Sequence, residues 1–569
     1  MEKKKKKINL NFEFDFVTVA IILIAIFCVS ITPITFQNDT YYTIKIGELI
    51  KNNGIDMMDH FSWHTGLPYT YPHWLYDFLT YFIYSFSGFK GIYITTCVLA
   101  VILGLSMYFV NSKLSKSNFI AFVVTAISIY FLKPYITARA QLVTFILFTW
   151  EIYCIEKFIE NKKIKYAISL LIISLLIANL HCATWPFFFV LALPYIAEYL
   201  IAIFTESVIY NKDLLFISKF RLKRLELKQK KYDINSEKYA KFSKKIEGLK
   251  NKIDKINIDN ENKKNKVENI KNNPYKLIIN KNNNVKILFI IMVICVLMGF
   301  LTPLKDTPFT YLTKTLKGNT MKSISEHLPL VLAENNKILI TLGITLCILV
   351  FTKVKIRLSD VFMLGGLCYL MLSSRRQASM FILIGSIIFT RLIIDLVKTY
   401  MKDGFYMIEE ASKNILVITS LTVLFAFLSF NFMKAKKDDK FVDETSYPVS
   451  ACDYILENID LTNAKFYNEY NYGSYMLFRG IPVFIDSRAD LYSPEFSGDK
   501  EHDIFTDFID TSSISKFYED TFKKYDITHV LIRKKSKTNM VITKTHDENF
   551  KELYSDDNFV LYERVSSNN

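Results

Sequence analysis

Glycine, proline and cysteine are all scarce in this chain, at 17, 13 and 8 among 569 residues. Eight cysteines build no disulfide framework, because only Cys182 and Cys452 are placed to reach an outer face. Neither a Cys-x-x-Cys nor a Cys/His zinc pattern occurs, and Cys28, Cys97, Cys154, Cys295, Cys347 and Cys368 read as small apolar packing residues. No RNA- or DNA-binding motif accompanies the net charge of +15, which argues against a nucleic-acid partner. What the chain has instead is apolar mass: 51% hydrophobic residues, 15% aromatic, and a mean hydropathy of +0.19. That balance is one of a membrane protein.

Apolar runs that cross about 30 Å of hydrocarbon at about 1.5 Å per residue lie near 17–35, 91–111, 117–132, 140–158, 166–181, 184–204, 285–303, 337–353, 359–372, 379–397 and 414–432. They predict a polytopic α-helical membrane protein of about eleven spans. The first run follows Lys3 to Lys7, as in a signal peptide, but Ser30 to Thr35 is a poor cleavage site, so a retained helix is expected. Cationic loops stay cytoplasmic. An N-terminus inside puts Lys113, Lys116, Lys162, Lys163, Lys165, the 206–283 insert, Lys353, Lys355, Arg357, Lys398 and Lys402 inside, and the C-terminus outside. Arg139, Lys305, Arg375 and Arg376 fall at outside helix ends, against that bias; they serve function there or snorkel to head groups, Lys305 more readily the latter.

The charge divides by region. Residues 206–283 carry 21 Lys+Arg against 10 Asp+Glu, a balance of +11, and residues 434–569 carry 18 against 25, a balance of −7. An inner leaflet of anionic lipid attracts such a basic insert by roughly 1 kcal/mol per nearby cation. Within it Tyr232, Tyr239, Ile246 and Ile253 recur every seven residues, with Phe242, Leu249 and Ile256 between them, a helical seam ended by Pro274 and the Asn280 to Asn284 segment. The seam predicts a coiled coil through 225–256 with a second copy or a cytoplasmic partner, or a helix folded back on its own hairpin.

The loop after the first run is polar and aromatic. Asp39 stands at its head, followed by Asp59, His60, His64, His73 and Trp74. Asp39 is a candidate catalyst, or an acid capping a Thr40 to Asn52 surface helix. On a helix the i, i+4 spacing of His60 and His64 would put both rings on one face beside Asp59, a candidate divalent metal site; Gly66 and Pro68 nearby favour a loop whose histidines contact aromatics or phosphate. The Asn38-Asp39-Thr40 sequon abuts the membrane, and the Lys/Asn/Ile-rich composition suggests a bacterial chain, so glycosylation is discounted. The tail reads as a small α/β domain, with helices at 449–458 and 514–524 and strands at 464–468, 474–478, 481–486, 527–533 and 558–564. Asp486, Arg488 and Asp490 follow one of those strands, where they bind acceptor or sugar, or form a buried ion pair holding the tail on the loops.

Several motifs stand together along the chain: Asn38-Asp39-Thr40-Tyr41, Gly47, Gly54, Asp59 with Phe61-Ser62, Trp74-Leu75, Ala138-Arg139-Ala140-Gln141, Ala178-Asn179-Leu180-His181, Leu301-Thr302-Pro303 and Arg375-Arg376. Together they resemble the GT-C superfamily of polytopic glycosyltransferases, relatives of protein O-mannosyltransferases, aminoarabinose transferases and oligosaccharyltransferases. The tail motifs Tyr467 to Tyr475 and Pro482 to Arg488 resemble a domain often attached to such proteins. The resemblance implies inverting transfer of a sugar from a polyprenyl-phosphate donor to a glycan, lipid or protein acceptor outside the membrane. Asp39 would be the base, or orient an acceptor or a divalent metal ion. Arg139, Arg375, Arg376 and His181 would hold the donor phosphate. The chemistry itself wants a carboxylate about 3 Å from the nucleophile and cations at the departing phosphate, and Arg makes two hydrogen bonds to one phosphate.

The expected layout is a transmembrane module over 1–205 with a catalytic loop at 36–73, the basic cytoplasmic insert 206–283, a second transmembrane module over 284–433 and an extracytoplasmic α/β domain over 434–569. A bacterial plasma-membrane glycosyltransferase is the reading that results. A cell-surface polysaccharide polymerase or ligase should place its large loop later in the chain, and a transporter or flippase should show more ionisable groups at midmembrane. A non-catalytic scaffold of the same fold differs only in the role of Asp39.

Overall fold

A computed structural model describes residues 15–269, 276–499 and 501–565. The Lys3 to Lys7 run and Pro274 lie outside them. The chain opens with α1 (Phe16–Ile31), started by the Asp15 carboxylate accepting from the Val17 amide, and α2 (Asn38–Asn53), a polar helix with Tyr41, Tyr42, Ile44 and Ile46 buried. There follow α3 (Trp74–Ser115), α4 (Asn118–Leu132), α5 (Ala140–Asn161), α6 (Ile164–Leu180) and α7 (Trp185–Ile209). The helix that carries the run expected at 91–111 begins earlier, at Trp74. Gly88, at φ 57°, bends α3 between an aromatic-rich first segment and the aliphatic one that follows, a backbone that only glycine adopts cheaply.

The insert forms α8 (Lys212–Gln229) and α9 (Glu237–Asn269), then β1 (Leu277–Ile278) and α10 (Asn284–Val296). Tyr232 stacks on Phe242 at the tip, Gln229 bonds Ser243, and Ile246, Ile253 and Ile256 are buried against α8. The heptad seam thus folds back on its own hairpin. After it come α11 (Thr307–Lys317), α12 (Thr320–Ser323), α13 (Asn336–Phe351), β2 (Ile356–Arg357), α14 (Leu358–Ser373), α15 (Ala378–Tyr400), α16 (Gly404–Ala411) and α17 (Ile415–Ala435).

Among the described residues five helical stretches are long and apolar enough to cross a membrane: Trp74–Ser115, Asn118–Tyr135, Cys182–Val208, Arg375–Tyr400 and Ile415–Ala435. Shorter apolar helices cover Phe16–Ile31, Ile164–Leu180, Asn284–Phe300, Asn336–Phe351 and Leu358–Ser373. At one end of the bundle Arg357 makes a fork to Glu156, at 2.7 and 2.9 Å, and also reaches Asp360; Arg391 bonds Glu156 at 3.1 Å. With the parallel β1–β2 pair, this network pins the second half of the bundle to α5.

The tail contains α18 (Val449–Asn458), β3 (Phe466–Asn468), α19 (Tyr470–Phe478), α20 (Pro494–Ser497), α21 (Ile504–Ser513), α22 (Tyr518–Lys524), β4 (His529–Arg533), α23 (Lys537–Thr545), β5 (Phe550–Ser555) and β6 (Phe559–Arg564). Its sheet has the order β3-β4-β6-β5, with β3 and β4 parallel and the other pairs antiparallel. Two expected strands are absent. Residues 474–478 are helical, with Tyr472, Tyr475 and Met476 buried at helical spacing, and 481–486 is an extended segment paired only through Val483 to Ser62 of the first loop. A short apolar run does not distinguish strand from helix by periodicity. The β5 strand, absent from the sequence reading, breaks its alternation at a bulge between Glu552 and Tyr554.

The tail and the first loop share one hydrophobic core. Tyr41, Leu67, Tyr69 and Tyr71 pack in the same cluster as Tyr447, Tyr475, Val483 and Phe484. The tail is therefore seated on the loop by apolar burial, not tethered beside it.

Candidate functional site

The site is built on the first turn of α2. Gln37 occupies the N-cap and gives no side-chain bond, so Asp39 lies inside the helix rather than capping it, and its carboxylate is free to reach sideways. Asp39 Oδ2 meets Arg139 Nη2 at 2.5 Å. Arg139 is the N-cap of α5, positioned there because Thr40 Oγ1 donates to the carbonyl of Ala138 at 3.2 Å. On the other side Asn38 Nδ2 donates to the Tyr470 carbonyl at 2.9 Å, tying the same turn to the tail. The close approach of α2 to α3 requires Gly47, where any Cβ would collide with the Asp77 carbonyl and Tyr81.

The second guanidinium nitrogen of Arg139 faces Glu326 at 3.5 Å. Glu326 and His327 belong to the loop between α11 and α13, which is stapled to the α14–α15 junction. The Arg375 amide donates to Leu328 O at 2.9 Å, Arg375 Nε to Pro329 O at 3.2 Å, and Ser374 Oγ to Glu326 O at 3.3 Å. Burial, then the positive charges of Arg376 and Arg139, push His327 down to about 4, with Glu326 opposing. His181 is pushed well below its ordinary value by burial, then by His73, Arg376 and Arg139, and its Nδ1 is 2.8 Å from Thr144 Oγ1. Both rings are neutral near pH 7. They sit in the positive field of two arginines, where an anion is favoured and an imidazolium is not.

Beside them a buried chain runs from Asp77 through His73 to Tyr42. His73 Nδ1 is 2.7 Å from Asp77 Oδ1, and its Nε2 is 3.0 Å from the Tyr42 hydroxyl. The fully buried Asp77 fixes the ring so that Nε2 faces Tyr42, and the rings of His73 and His181 lie 6.2 Å apart. Trp74 Nε1 donates to Asn179 Oδ1, and Asn179 in turn to Leu301 O, closing the floor against α6 and the segment that follows α10.

The structure thus brings together Asp39, Arg139, Arg376, His181 and His73 of the expected set. Arg375 turns its Nε away to the Pro329 carbonyl. Sequence reading missed Tyr42, Asp77, Glu326 and His327. The signals were an acid four residues after His73 at the start of an apolar run, and the adjacent Glu326 and His327 in the loop before the 337–353 run.

Asp59, Asp486 and Arg488 of the expected set meet at a second place, the seam between loop and tail. Arg488 binds Asp59 Oδ1 at 2.6 Å and Asp486 at 2.7 and 2.9 Å, with all three side chains nearly inaccessible. Asp486 does not end a strand, so the sheet-end position expected for it is corrected. Burial raises the Asp59 carboxyl, but Arg488 and the Ser62 hydroxyl and amide outweigh it and hold the group below the usual range. The half-buried Asp490 accepts from Tyr311 and Thr320, at 2.5 and 3.3 Å, joining the tail to α11 and α12; desolvation raises its pKa. This is the geometry of a buried ion pair seating the tail on the loops.

His60 and His64 are not on a helix, which corrects the shared-face geometry. His60 pairs with Asp56 at 2.5 Å near the surface. His64 contacts Phe484 O at 2.9 Å, stacks beside Trp63, and is pushed by burial to about 4. Among the described residues no three His, Cys, Asp or Glu side chains cluster as metal ligands.

No family model matches this chain, and no curated protein matches it in sequence. Among solved structures it is similar to the apo oligosaccharyltransferase of Archaeoglobus fulgidus, at 11% identity and a TM-score of 0.50, covering 99% of this chain and 76% of that one. At that identity the likeness is one of fold alone, an oligosaccharyltransferase-like arrangement.

Proposed function

We propose that this chain is a membrane glycosyltransferase that moves a sugar from a polyprenyl-phosphate donor to an acceptor at the membrane face bearing Asp39. The observation that supports it most is the Asp39–Arg139 pair set among Arg376, His181, Glu326 and His327 at the mouth of the bundle. Arg139 and Arg376 take the donor phosphate, whose charge replaces that of Asp39 on the Arg139 fork. The released carboxylate accepts the acceptor's hydroxyl proton as that oxygen attacks the anomeric carbon from the side opposite the phosphate. The carbon–oxygen bond to the phosphate breaks with inversion, and polyprenyl phosphate leaves with its electron pair, held by the arginines. Neutral His181 and His327 contact phosphate or sugar as hydrogen-bonding groups.

The same reading carries the division at 205/206, 283/284 and 433/434, about eleven crossings, a cytoplasmic N-terminus and an outer tail, in a bacterial plasma membrane. The test is mass spectrometry of a panel of polyprenyl-phosphate sugars incubated with purified protein and membrane extract, comparing parent with Asp39→Asn. Donor consumption by the parent, reduced at least about a hundredfold in the nearly isosteric variant, is expected of a general base. Equal consumption by both removes Asp39 from the reaction, and no consumption of any donor removes the transferase reading for that panel.

A further inference from the structure

The hairpin leaves a second apolar face uncovered. On α8, Leu215, Ser218, Leu222 and Leu225 recur at three-four spacing and turn toward α9, and Ser218 is buried there. That packing accounts for one side of the helix only. Leu214, Ile217, Phe216 and Phe220 stand on the remaining surface at 42, 48, 72 and 63% exposure, large side chains that nothing among the described residues covers. Six cations accompany them between 212 and 229 (Lys212, Lys219, Arg221, Lys223, Arg224 and Lys228), against two acids, Asp213 and Glu226.

The position of this face identifies its occupant. α7 begins beside His181, at the candidate site, and ends at Ile209, so its far end lies at the opposite side of the bundle. Its own outer row, Leu200, Phe204 and Val208, is 58, 70 and 58% exposed, as lipid-facing side chains of a span are. Two residues later the chain turns at Asn211, in the left-handed region at φ 47°, and α8 starts; Glu206 pairs with both Lys212 and Lys281, fixing the hairpin's root at the end of the span. Four of the five exposed large apolar residues of α8 lie in its first half, next to that root, and Leu227, 57% exposed, continues the face toward the tip. An apolar stripe flanked by Lys and Arg, continuous with a span, has the composition of an interfacial helix.

We propose that α8 docks on the anionic lipid surface opposite the candidate site, with Phe216 and Phe220 inserted at the head-group boundary and Lys219, Arg221, Lys223 and Arg224 paired with lipid phosphates. The insert is then a membrane-surface hairpin whose α9 rides on α8, and its contact is lipid rather than a second copy.

The test places the photocrosslinker p-benzoylphenylalanine at Phe216, Phe220 or the exposed α9 residue Lys252 in the full chain. Each protein is reconstituted in vesicles of phosphatidylcholine with phosphatidylglycerol, or of phosphatidylcholine alone, and protease resistance of the hairpin reports its folding. Lipid adducts at 216 and 220 should exceed those at 252 by about tenfold. Replacing Lys219, Arg221, Lys223 and Arg224 together by Gln should lower the adducts in the phosphatidylglycerol vesicles by about fivefold or more. A crosslinked two-copy species at 216 and 220 would overturn the proposal in favour of self-association. Adducts no more frequent than at 252 would overturn it in favour of a solvated hairpin.

Discussion

Replacing Arg488 by Met removes a guanidinium while keeping most of its volume, and the consequence follows from what surrounds it. The side chain makes two bonds to Asp486 and one to Asp59, both carboxylates fully buried. Deleting one member of such a cluster strands the others; the cost of an uncompensated buried charge is about 3–5 kcal/mol. A cooperative unit of roughly 150–250 residues shifts by about 2–4 °C per kcal/mol, so the tail and its loop should lose about 6–20 °C of melting temperature. Trp63 reports the event locally, since its indole donates to Phe466 O across the same seam at 2.9 Å. The loss should depend on pH with a fixed sign. In the parent the Asp59 pKa is depressed, so its contribution is present above the ordinary carboxylate value and lost as pH falls below it. In Arg488→Met the buried carboxylate has a raised value instead, and protonation relieves it. The gap between the two proteins should therefore be wide at pH 7 and narrower at pH 4.5, measured by tryptophan emission of detergent-solubilised protein during heating. A melting temperature unchanged within about 2 °C, on the same scale, or a gap constant with pH, would refute the buried-clamp argument.

Arg139→Ala should weaken donor binding more than Arg139→Lys, which keeps the charge but loses the fork; calorimetry with a polyprenyl-phosphate sugar that gives equal affinity for both and for the parent would assign Arg139 to snorkelling. Gly47→Val should separate α2 from α3, at about 1–3 kcal/mol of overpacking, and abolish turnover by displacing Asp39; normal turnover would show that the contact yields. His181 and His327 are neutral at pH 6–8 because their values are depressed, His327 to about 4, so neither should contribute a break in the pH–rate profile above pH 6; a break near 6.5 abolished by His327→Gln would contradict the burial argument.

The helices of the bundle were legible because a span is a local property: 17 to 25 apolar residues declare themselves in the chain, as at Trp185 to Ile209. Asp39 and Arg139 were legible as residues out of place, an acid and a base at the ends of apolar runs. Their pairing was not, because it depends on Thr40 reaching the Ala138 carbonyl across 98 positions. Glu326 was hidden for the same reason. An acid in a polar loop is ordinary until the loop is stapled at Ser374 and Arg375 and delivers it to Arg139. In the tail the misread segments, 474–478 and 481–486, take their conformation from partners distant in sequence: Tyr472 donates to Leu531 O in β4, and Val483 joins Ser62. Local propensity was overridden there by packing on β4 and on the first loop.

One consequence of the Asp39–Arg139 pair concerns the order of events. A carboxylate held at 2.5 Å by a guanidinium is a poor proton acceptor toward an incoming hydroxyl, because that oxygen must first displace a charge-assisted hydrogen bond. In the proposed reaction a phosphate arriving at Arg139 and Arg376 competes for the same fork and releases Asp39. Donor binding and base exposure are then one equilibrium, and the coupling is reciprocal: donor raises affinity for acceptor, and acceptor for donor, by the same factor. Couplings of this kind run to about 1–3 kcal/mol, or about 5–150-fold. Acceptor affinity measured with and without a non-transferable donor analogue should differ by that factor in the parent and by little in Arg139→Ala, where Asp39 is already unpaired. An acceptor that binds equally well in both states of the parent would mean that the pair does not guard the base.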